Sequence, residues 1–209
     1  MDSVKLKLGS KINLMFYGIL IGFSVIIALL VNNQVTDGIK QFAVEKAKSD
    51  LQLGYSYLDA AIPGEWRIEN DALYKGDVLL NDNFDIVDKI GLDTGGTVTI
   101  FQGDTRVTTN VMVDGKRAVG TQVSDVVADA VLKNEETYYG EADVAGNTYQ
   151  AAYRPLVDKQ NNVIGIFYIG APQGMINEIV GGILQSFLLV LVIVIIVAGV
   201  ILTLFTNRI

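Results

Sequence analysis

The sequence predicts an α+β domain, built on an antiparallel five-stranded sheet with a long N-terminal helix and flanked by two transmembrane helices. Three observations support this prediction. Two uncharged apolar stretches lie near the ends of the 209-residue chain, a helical stripe of apolar residues follows the first stretch, and five segments of alternating, β-branched sequence precede the second. The residues between the two stretches suffice for one domain with its own core.

The two apolar stretches have the length of membrane spans. Leu14 to Val31 is 18 residues without a charge, and Ile183 to Phe205 is 23 residues without one. A helix needs about 20 residues to cross a hydrocarbon core about 30 Å thick. We therefore expect transmembrane helices over residues 12–32 and 179–205.

The basic residues at the chain ends predict the orientation. Lys5, Lys7 and Lys11 precede the first span and Arg208 follows the second, so the positive-inside rule places both termini in the cytoplasm. The expected division is a cytoplasmic tail over 1–11, the first span over 12–32, an extracellular domain over 33–178, the second span over 179–205 and a cytoplasmic end over 206–209. The first span is expected to stay as an uncleaved anchor, because its apolar core is longer than that of a signal peptide.

The composition excludes several classes of function. The chain contains no cysteine and no histidine, which excludes disulfides, thiolate nucleophiles and imidazole ligands or bases. The net charge of −7 argues against a nucleic-acid partner. Residues 81–83 superficially resemble the start of a calcium loop, but Ile86 and Leu92 stand where such a loop needs its glycine and its closing glutamate. We expect a protein that is not an enzyme and that carries no cofactor and no metal.

Periodicity predicts the elements of the domain. The apolar stripe from Ile39 to Ile62 predicts a helix that continues from the first span to about Ala61 and ends at Pro63. Short extended or turn pieces follow, then a short helix beginning near Phe84. A second short helix is expected over residues 123–131. Sequential strands joined by tight turns pair antiparallel, and the five candidate strands are Thr97–Phe101, Thr105–Val111, Thr137–Val144, Tyr149–Leu156 and Val163–Ile169.

The order of these segments carries a family resemblance. The segments Thr97–Val111, Asp114–Thr121, Tyr138–Ala142, Tyr149–Asp158 and Val163–Gly170, taken together, resemble the extracellular single-Cache (PAS-like) domain of bacterial methyl-accepting chemotaxis proteins. The resemblance covers residues 50–172 and extends to the two-span frame. It implies a chemoreceptor sensor module of the cell membrane, usually dimeric, that binds a small extracellular molecule and transmits the signal across the membrane. Such receptors continue after their second span into a HAMP linker and a long methylated hairpin. Residues 206–209 correspond to the start of that linker, so we expect either a fragment or a sensor without its own output.

The resemblance also points to a ligand-binding arginine. In the related citrate and C4-dicarboxylate sensor kinases, an arginine early in the second strand grips a carboxylate, and Arg106 matches it. The histidine that follows three residues later in those kinases is Thr109 here, and their second arginine is Ala151 here. An aromatic residue of their penultimate strand is matched by Tyr153. With one arginine of the two, a di- or tricarboxylate is not expected. The expected ligand is a smaller or singly charged anion, such as a small carboxylate, or a polar neutral molecule.

The residues themselves support a polar site on these strands. A guanidinium offers a fork for a carboxylate, threonine hydroxyls add donors, and alternate tyrosines form amphipathic walls. Strict alternation places Arg106 and Thr108 on one face of their strand, and Arg117 and Arg154 are further candidate cations. The candidate ligand-binding residues are Arg106, Thr108, Thr109, Arg117, Tyr149 and Tyr153.

The expected partners are a small-molecule ligand, membrane lipid and a second copy of the chain. Gly18 and Gly22 form a G-x-x-x-G pair in the first span, which permits close helix contact and a homodimer. Two alternatives stay open. The domain is the sensor of a membrane histidine kinase or cyclic-nucleotide enzyme, or the chain is a stand-alone membrane-anchored binding protein.

Overall fold

The computed structural model describes residues 8–144 and 146–206. The predictions that rest on Lys5, Lys7 and Arg208, and on the last residues of the HAMP-type end, lie outside the described residues. Two compact units are present. One is formed by the described residues up to Ile39 together with those from Asn177 onward, and the other by Lys40–Ile176.

Two long helices supply the first of these units. Helix α1 spans Leu8–Ala61 and helix α4 spans Gln173–Thr206, and each contains a stretch long and apolar enough to cross a membrane. Within this unit the Asn13 amide donates to Thr206 Oγ1 at 3.0 Å. Most of the apolar side chains of both stretches are exposed, which is the pattern expected of helices surrounded by lipid.

The later part of α1 belongs to the domain. Ala43, Ala47, Leu51 and Leu58 repeat at helical spacing and are buried, which fixes the face that α1 turns to the core. The helix ends at Ala61, as the sequence predicts, because Pro63 cannot continue it.

A small three-stranded sheet follows α1 and was missed by the sequence analysis, which expected only extended or turn pieces. It is an antiparallel meander of β1 (Trp66–Glu69), β2 (Ala72–Lys75) and β3 (Val78–Leu79). The strands of two to four residues are too short to show a period. Asn70 and Asp71 both have positive φ, as the tight turn between β1 and β2 requires.

The main sheet has five antiparallel strands, as predicted. The strands are β4 (Thr97–Gln102), β5 (Thr105–Thr109), β8 (Tyr138–Val144), β9 (Asn147–Val157) and β10 (Val163–Pro172). Their spatial order is β5-β4-β10-β9-β8, so β10 is central and β5 and β8 form the edges. Strand β5 ends at Thr109, two residues before the predicted end at Val111, and a short hairpin of β6 (Met112–Val113) and β7 (Lys116–Arg117) follows it.

The two faces of the main sheet carry separate cores. The face that we call the helix face packs against α1 and α2 (Asp85–Thr94), with Ile100, Phe167 and Ile169 among its buried residues. The opposite face, the site face, packs against α3 (Asp125–Ala128) and the π-helical turn Asp129–Lys133 that continues it. The main sheet, with helices on both sides, therefore has one core on each face, and the two cores contain different kinds of side chain.

Candidate ligand-binding site

A β-bulge decides which side chains of β5 reach the site face. Ile100 pairs with Thr108 and Phe101 pairs with Arg106, so Val107 has no partner on β4. An extra residue reverses the alternation beyond it, and Val107 and Thr108 both belong to the helix face. Strict alternation, which put Arg106 and Thr108 on one face, was therefore wrong. The bulge brings Arg106 to the site face together with Thr109.

Arg106 is a buried cation without a carboxylate partner among the described residues. Only 3% of its surface is exposed, and among the residues that the structure describes it forms no ion pair. Its Nη1 donates to Thr121 Oγ1 and, at 3.5 Å, to the Ala118 carbonyl oxygen. Its Nε is buried without a partner in the described part of the chain. Burial lowers the pKa of Arg106, although nearby tyrosine hydroxyls oppose this shift.

Three buried tyrosines stand beside Arg106. Tyr149, Tyr153 and Tyr168 are at most 9% exposed, and the Tyr153 and Tyr168 rings lie 4.7 Å apart between centroids. Burial raises the pKa of all three phenols, and the positive charge of Arg106 offsets part of each rise. All three therefore remain protonated hydroxyls, able to donate hydrogen bonds at neutral pH.

The three tyrosine hydroxyls differ in their hydrogen-bond partners within the protein. Tyr168 exchanges a hydrogen bond of 2.8 Å with Thr97 Oγ1, which donates in turn to the Gly170 carbonyl oxygen at 3.1 Å. The Tyr149 and Tyr153 hydroxyls have no hydrogen-bond partner among the described residues. The Arg106 Nε is a buried donor without an acceptor among the described residues.

The two threonines of the candidate set are engaged in the fold. Thr109 lies in a row with Thr99 and Tyr168 across the sheet, and its hydroxyl bonds Thr99 Oγ1 at 2.6 Å. The Thr108 hydroxyl lies on the helix face and donates to the Asn83 carbonyl oxygen at 2.7 Å. Thr109 is close to the arginine and tyrosine group, and Thr108 is not.

The side chains of the other two candidate arginines are engaged by other residues, and Arg117 reaches the group only through the Thr109 carbonyl oxygen, at 2.7 Å. Arg117 grips both carboxylate oxygens of Asp88 at 2.7 Å and lies 4.3 Å from the Phe84 ring centroid. Arg154 is stacked on Tyr55 of α1 at 3.6 Å. The structure therefore brings together Arg106, Thr109, Tyr149 and Tyr153 of the candidate residues and leaves Thr108 and Arg117 outside. Their roles in binding stay predictions.

Sequence reasoning missed two neighbours of Arg106. Tyr168 faces Tyr153 across the β9–β10 ladder, and Phe101 lies under the guanidinium at 5.0 Å from its ring centroid. The sequence gives only a weak indication of a binding role for Tyr168 and Phe101, because both lie in apolar strand segments that predict core residues.

The site face is closely packed around these groups. The buried side chains of its cluster are at most 9% exposed, and they are mainly small or aliphatic apart from the aromatic rings. A ligand that reaches Arg106 must therefore displace part of this packing.

Comparison with known proteins identifies the fold. The family profile named single cache domain 3 matches residues 78–182, and the chain belongs to this family of sensor domains. The resemblance to Cache domains predicted from the sequence is thereby confirmed. A comparison with curated proteins gives no match.

Three solved structures share features with the chain. The Escherichia coli DcuS sensor domain is 12% identical, covers 69% of this chain and 96% of its own length, and superposes with a TM-score of 0.37. The ligand-binding domain of the Campylobacter jejuni chemoreceptor Tlp3 in complex with L-valine is 10% identical over 72% of this chain and 66% of that one, with a TM-score of 0.36. A domain of an HTR-like protein from Haloarcula marismortui is 17% identical over 37% of this chain and 96% of that one, with a TM-score of 0.26.

Proposed function

We propose that this chain is the sensor module of a transmembrane chemoreceptor and that it recognises a small carboxylate at Arg106. The observation that carries the proposal is a buried guanidinium without a carboxylate partner among the described residues. Taking a cation out of water costs several kcal/mol unless an anion compensates it. A carboxylate ligand would supply that anion and would accept from the free Nε.

The neighbouring groups define the ligand further. Tyr149 and Tyr153 would donate to a carboxylate or to a hydroxyl next to it, while the aliphatic side chains around them favour an apolar remainder. The buried cations among the described residues are Lys75 and Arg106, and Lys75 already pairs with Asp59 at 2.6 Å. A single unpaired guanidinium supports a ligand with a single carboxylate. The second arginine of the dicarboxylate sensor kinases has Ala151 in its place.

Signal transmission would follow from the chain path. Strand β10 ends at Pro172 and helix α4 begins at Gln173, so no linker separates the sheet from the second span. A ligand that prefers one arrangement of the sheet shifts the population toward it, and such couplings are typically about 1–3 kcal/mol.

The proposed topology places residues 33–178 outside the cell and both ends in the cytoplasm. The proposed assembly is a homodimer in the membrane, with Gly18 and Gly22 at the contact. A Cβ built on either glycine meets no atom within 4 Å, so this face of α1 is open to another helix.

Single introduced cysteines test the proposed topology and the proposed dimer contact, because the chain itself contains no cysteine. Val113→Cys, on the exposed β6–β7 hairpin, is expected to react with a membrane-impermeant maleimide in intact cells, and Lys11→Cys only after lysis. Gly22→Cys is expected to form disulfide-linked dimers in membranes under mild oxidation, whereas Phe23→Cys one residue away is expected to form fewer. Reaction of Lys11→Cys in intact cells would refute the topology, and monomers alone would refute the contact.

The ligand class is tested with the full chain in lipid nanodiscs. Acetate, propionate and L-lactate, each at millimolar concentration, are expected to raise the thermal unfolding midpoint. Succinate should do so less, and glycerol and ethanolamine should leave it unchanged at matched ionic strength. Stabilisation by ethanolamine or glycerol without any by the carboxylates would contradict the proposed site.

A further inference from the structure

A loop beside β5 holds Arg106 in place. Residues 118–122, which we call the cover segment, run along the outer edge of β5. The Gly120 amide donates to the Arg106 carbonyl oxygen at 2.8 Å, and the Arg106 amide donates to the Thr121 carbonyl oxygen at 2.9 Å. The same segment supplies both acceptors of the guanidinium, the Thr121 hydroxyl and the Ala118 carbonyl. The position of the cover segment therefore determines how the Arg106 side chain is held.

The two acceptors are themselves tied together. Thr121 Oγ1 donates to the Ala118 carbonyl oxygen at 2.8 Å, so a hydrogen bond links the hydroxyl to the carbonyl. Ala118 follows Arg117 directly in the chain. A displacement of the Arg117 backbone is thus passed to both groups that bind Arg106.

Arg117 fastens this end of the cover segment to helix α2. Its two terminal nitrogens bind the two oxygens of Asp88 at 2.7 Å each, and Nη1 also donates to the Thr109 carbonyl oxygen at 2.7 Å. The guanidinium lies on the Phe84 ring. Asp88 raises the pKa of Arg117 through this hydrogen bond, so the guanidinium stays charged throughout the neutral range.

The ion pair between Arg117 and Asp88 is bidentate and partly exposed to solvent. A bidentate pair of arginine and carboxylate is the most specific kind of ion pair. The Arg117 and Asp88 side chains are nevertheless 28% and 44% exposed, so the pair can open without exposing a core. The residues after Ala118, from Val119 to Gln122, are themselves exposed.

We propose that Arg117 and Asp88 are positioning residues for the ligand site: their ion pair holds the cover segment closed over Arg106 and controls access to its guanidinium. The inference rests on the proposed carboxylate site at Arg106. It gives Arg117 a role that differs from the direct ligand contact predicted from the sequence. Because the site face is closely packed, a ligand enters when the cover segment moves, and the ion pair on α2 sets how often it does so.

Chemical modification of Arg106 measures this access without any ligand. Phenylglyoxal reacts with arginine guanidinium groups, and mass spectrometry of peptides resolves the rate at each arginine. The full chain in nanodiscs is compared with Asp88→Asn, with Arg117→Lys, and with the control Asp93→Asn. Asp93 pairs with Lys89 on the same helix and has similar exposure, but the pair does not involve the cover segment.

We expect Arg106 to react about fivefold faster in Asp88→Asn than in the wild type, which corresponds to the loss of a good partly exposed ion pair. Arg117→Lys keeps the charge but cannot form the fork, so a smaller acceleration is expected. Asp93→Asn should leave the rate at Arg106 unchanged. The rate at Arg154, on the helix face, should stay constant in every variant and reports whether the domain as a whole has loosened.

Three results would overturn the inference. They are an unchanged Arg106 rate in Asp88→Asn, an equal acceleration at Arg106 and Arg154, and a wild-type rate at Arg106 as high as at Arg67, whose side chain is 42% exposed. Protection of wild-type Arg106 by propionate is measured in the same experiment. Absence of that protection counts against the proposed carboxylate site alone, since the effect of Asp88→Asn on the unliganded chain does not depend on it.

Discussion

Arg106→Met is expected to abolish the stabilisation by carboxylates and, at the same time, to leave the unliganded domain as stable as the wild type or more stable. Methionine fills the volume of the arginine stem without a charge to bury. Replacing a buried ionic group with a hydrophobic one of similar volume is often neutral or stabilising by about 1–4 kcal/mol. Here the cation lacks a carboxylate partner among the described residues, so the lower half of that range is expected for the gain.

The free energy of unfolding is measured by chemical denaturation, followed by the fluorescence of Trp66, the one tryptophan of the chain. The matched control is Arg154→Met, which removes an arginine stacked on Tyr55 on the opposite face of the sheet. It should keep the response to propionate and should not gain stability. Loss of several kcal/mol in Arg106→Met, or a retained ligand response, would show that Arg106 serves the fold and not a ligand.

Gly165→Ala is expected to destabilise the domain by about 3 kcal/mol or more, a large part of the total stability of a typical domain. A Cβ on Gly165 would lie 2.1 Å from the carbonyl oxygen of Phe101 on the neighbouring strand. That atom belongs to the backbone and cannot rotate away, so β10 and β4 must separate locally. Phe101 also lies under the Arg106 guanidinium, and weaker binding of propionate is expected along with the loss of stability.

The control for this substitution is Gly38→Ala in helix α1. A Cβ there meets no atom within 4 Å, and alanine is favoured over glycine in a helix by up to about 1 kcal/mol. Thermal and chemical unfolding of both variants in nanodiscs gives the comparison. A loss below about 1 kcal/mol in Gly165→Ala would mean that the β4–β10 pairing adjusts at this point more freely than its close contact indicates.

The sequence was sufficient to predict the elements whose signal is long and periodic. The two spans, the helix that ends before Pro63 and the five strands of the main sheet follow from apolar length, from helical spacing and from alternation. The strands of the small sheet around Leu73 were not predicted, because a strand of four residues has too few alternating positions to distinguish it from a turn.

The candidate site was predicted less completely than the fold, for two physical reasons. Alternation cannot reveal the bulge at Val107, and a single extra residue sends Thr108 to the wrong face. The partner of Arg117 is also invisible in the sequence, because Asp88 is 29 residues away and meets it only through the β6–β7 hairpin. Arg106 was found because a family resemblance singled it out, and its lack of a counter-ion required the structure.

The central place of β10 restricts the kinds of movement that could leave this domain. An edge strand can separate from its sheet one hydrogen bond at a time. Strand β10 is hydrogen-bonded to β4 on one side and to β9 on the other, and both rows of hydrogen bonds oppose a shift of its register. Lengthwise sliding of this strand alone would have to rupture both rows at once. If the proposed signal passes from β10 to Gln173, it would therefore have to be a tilt or rotation of the whole sheet.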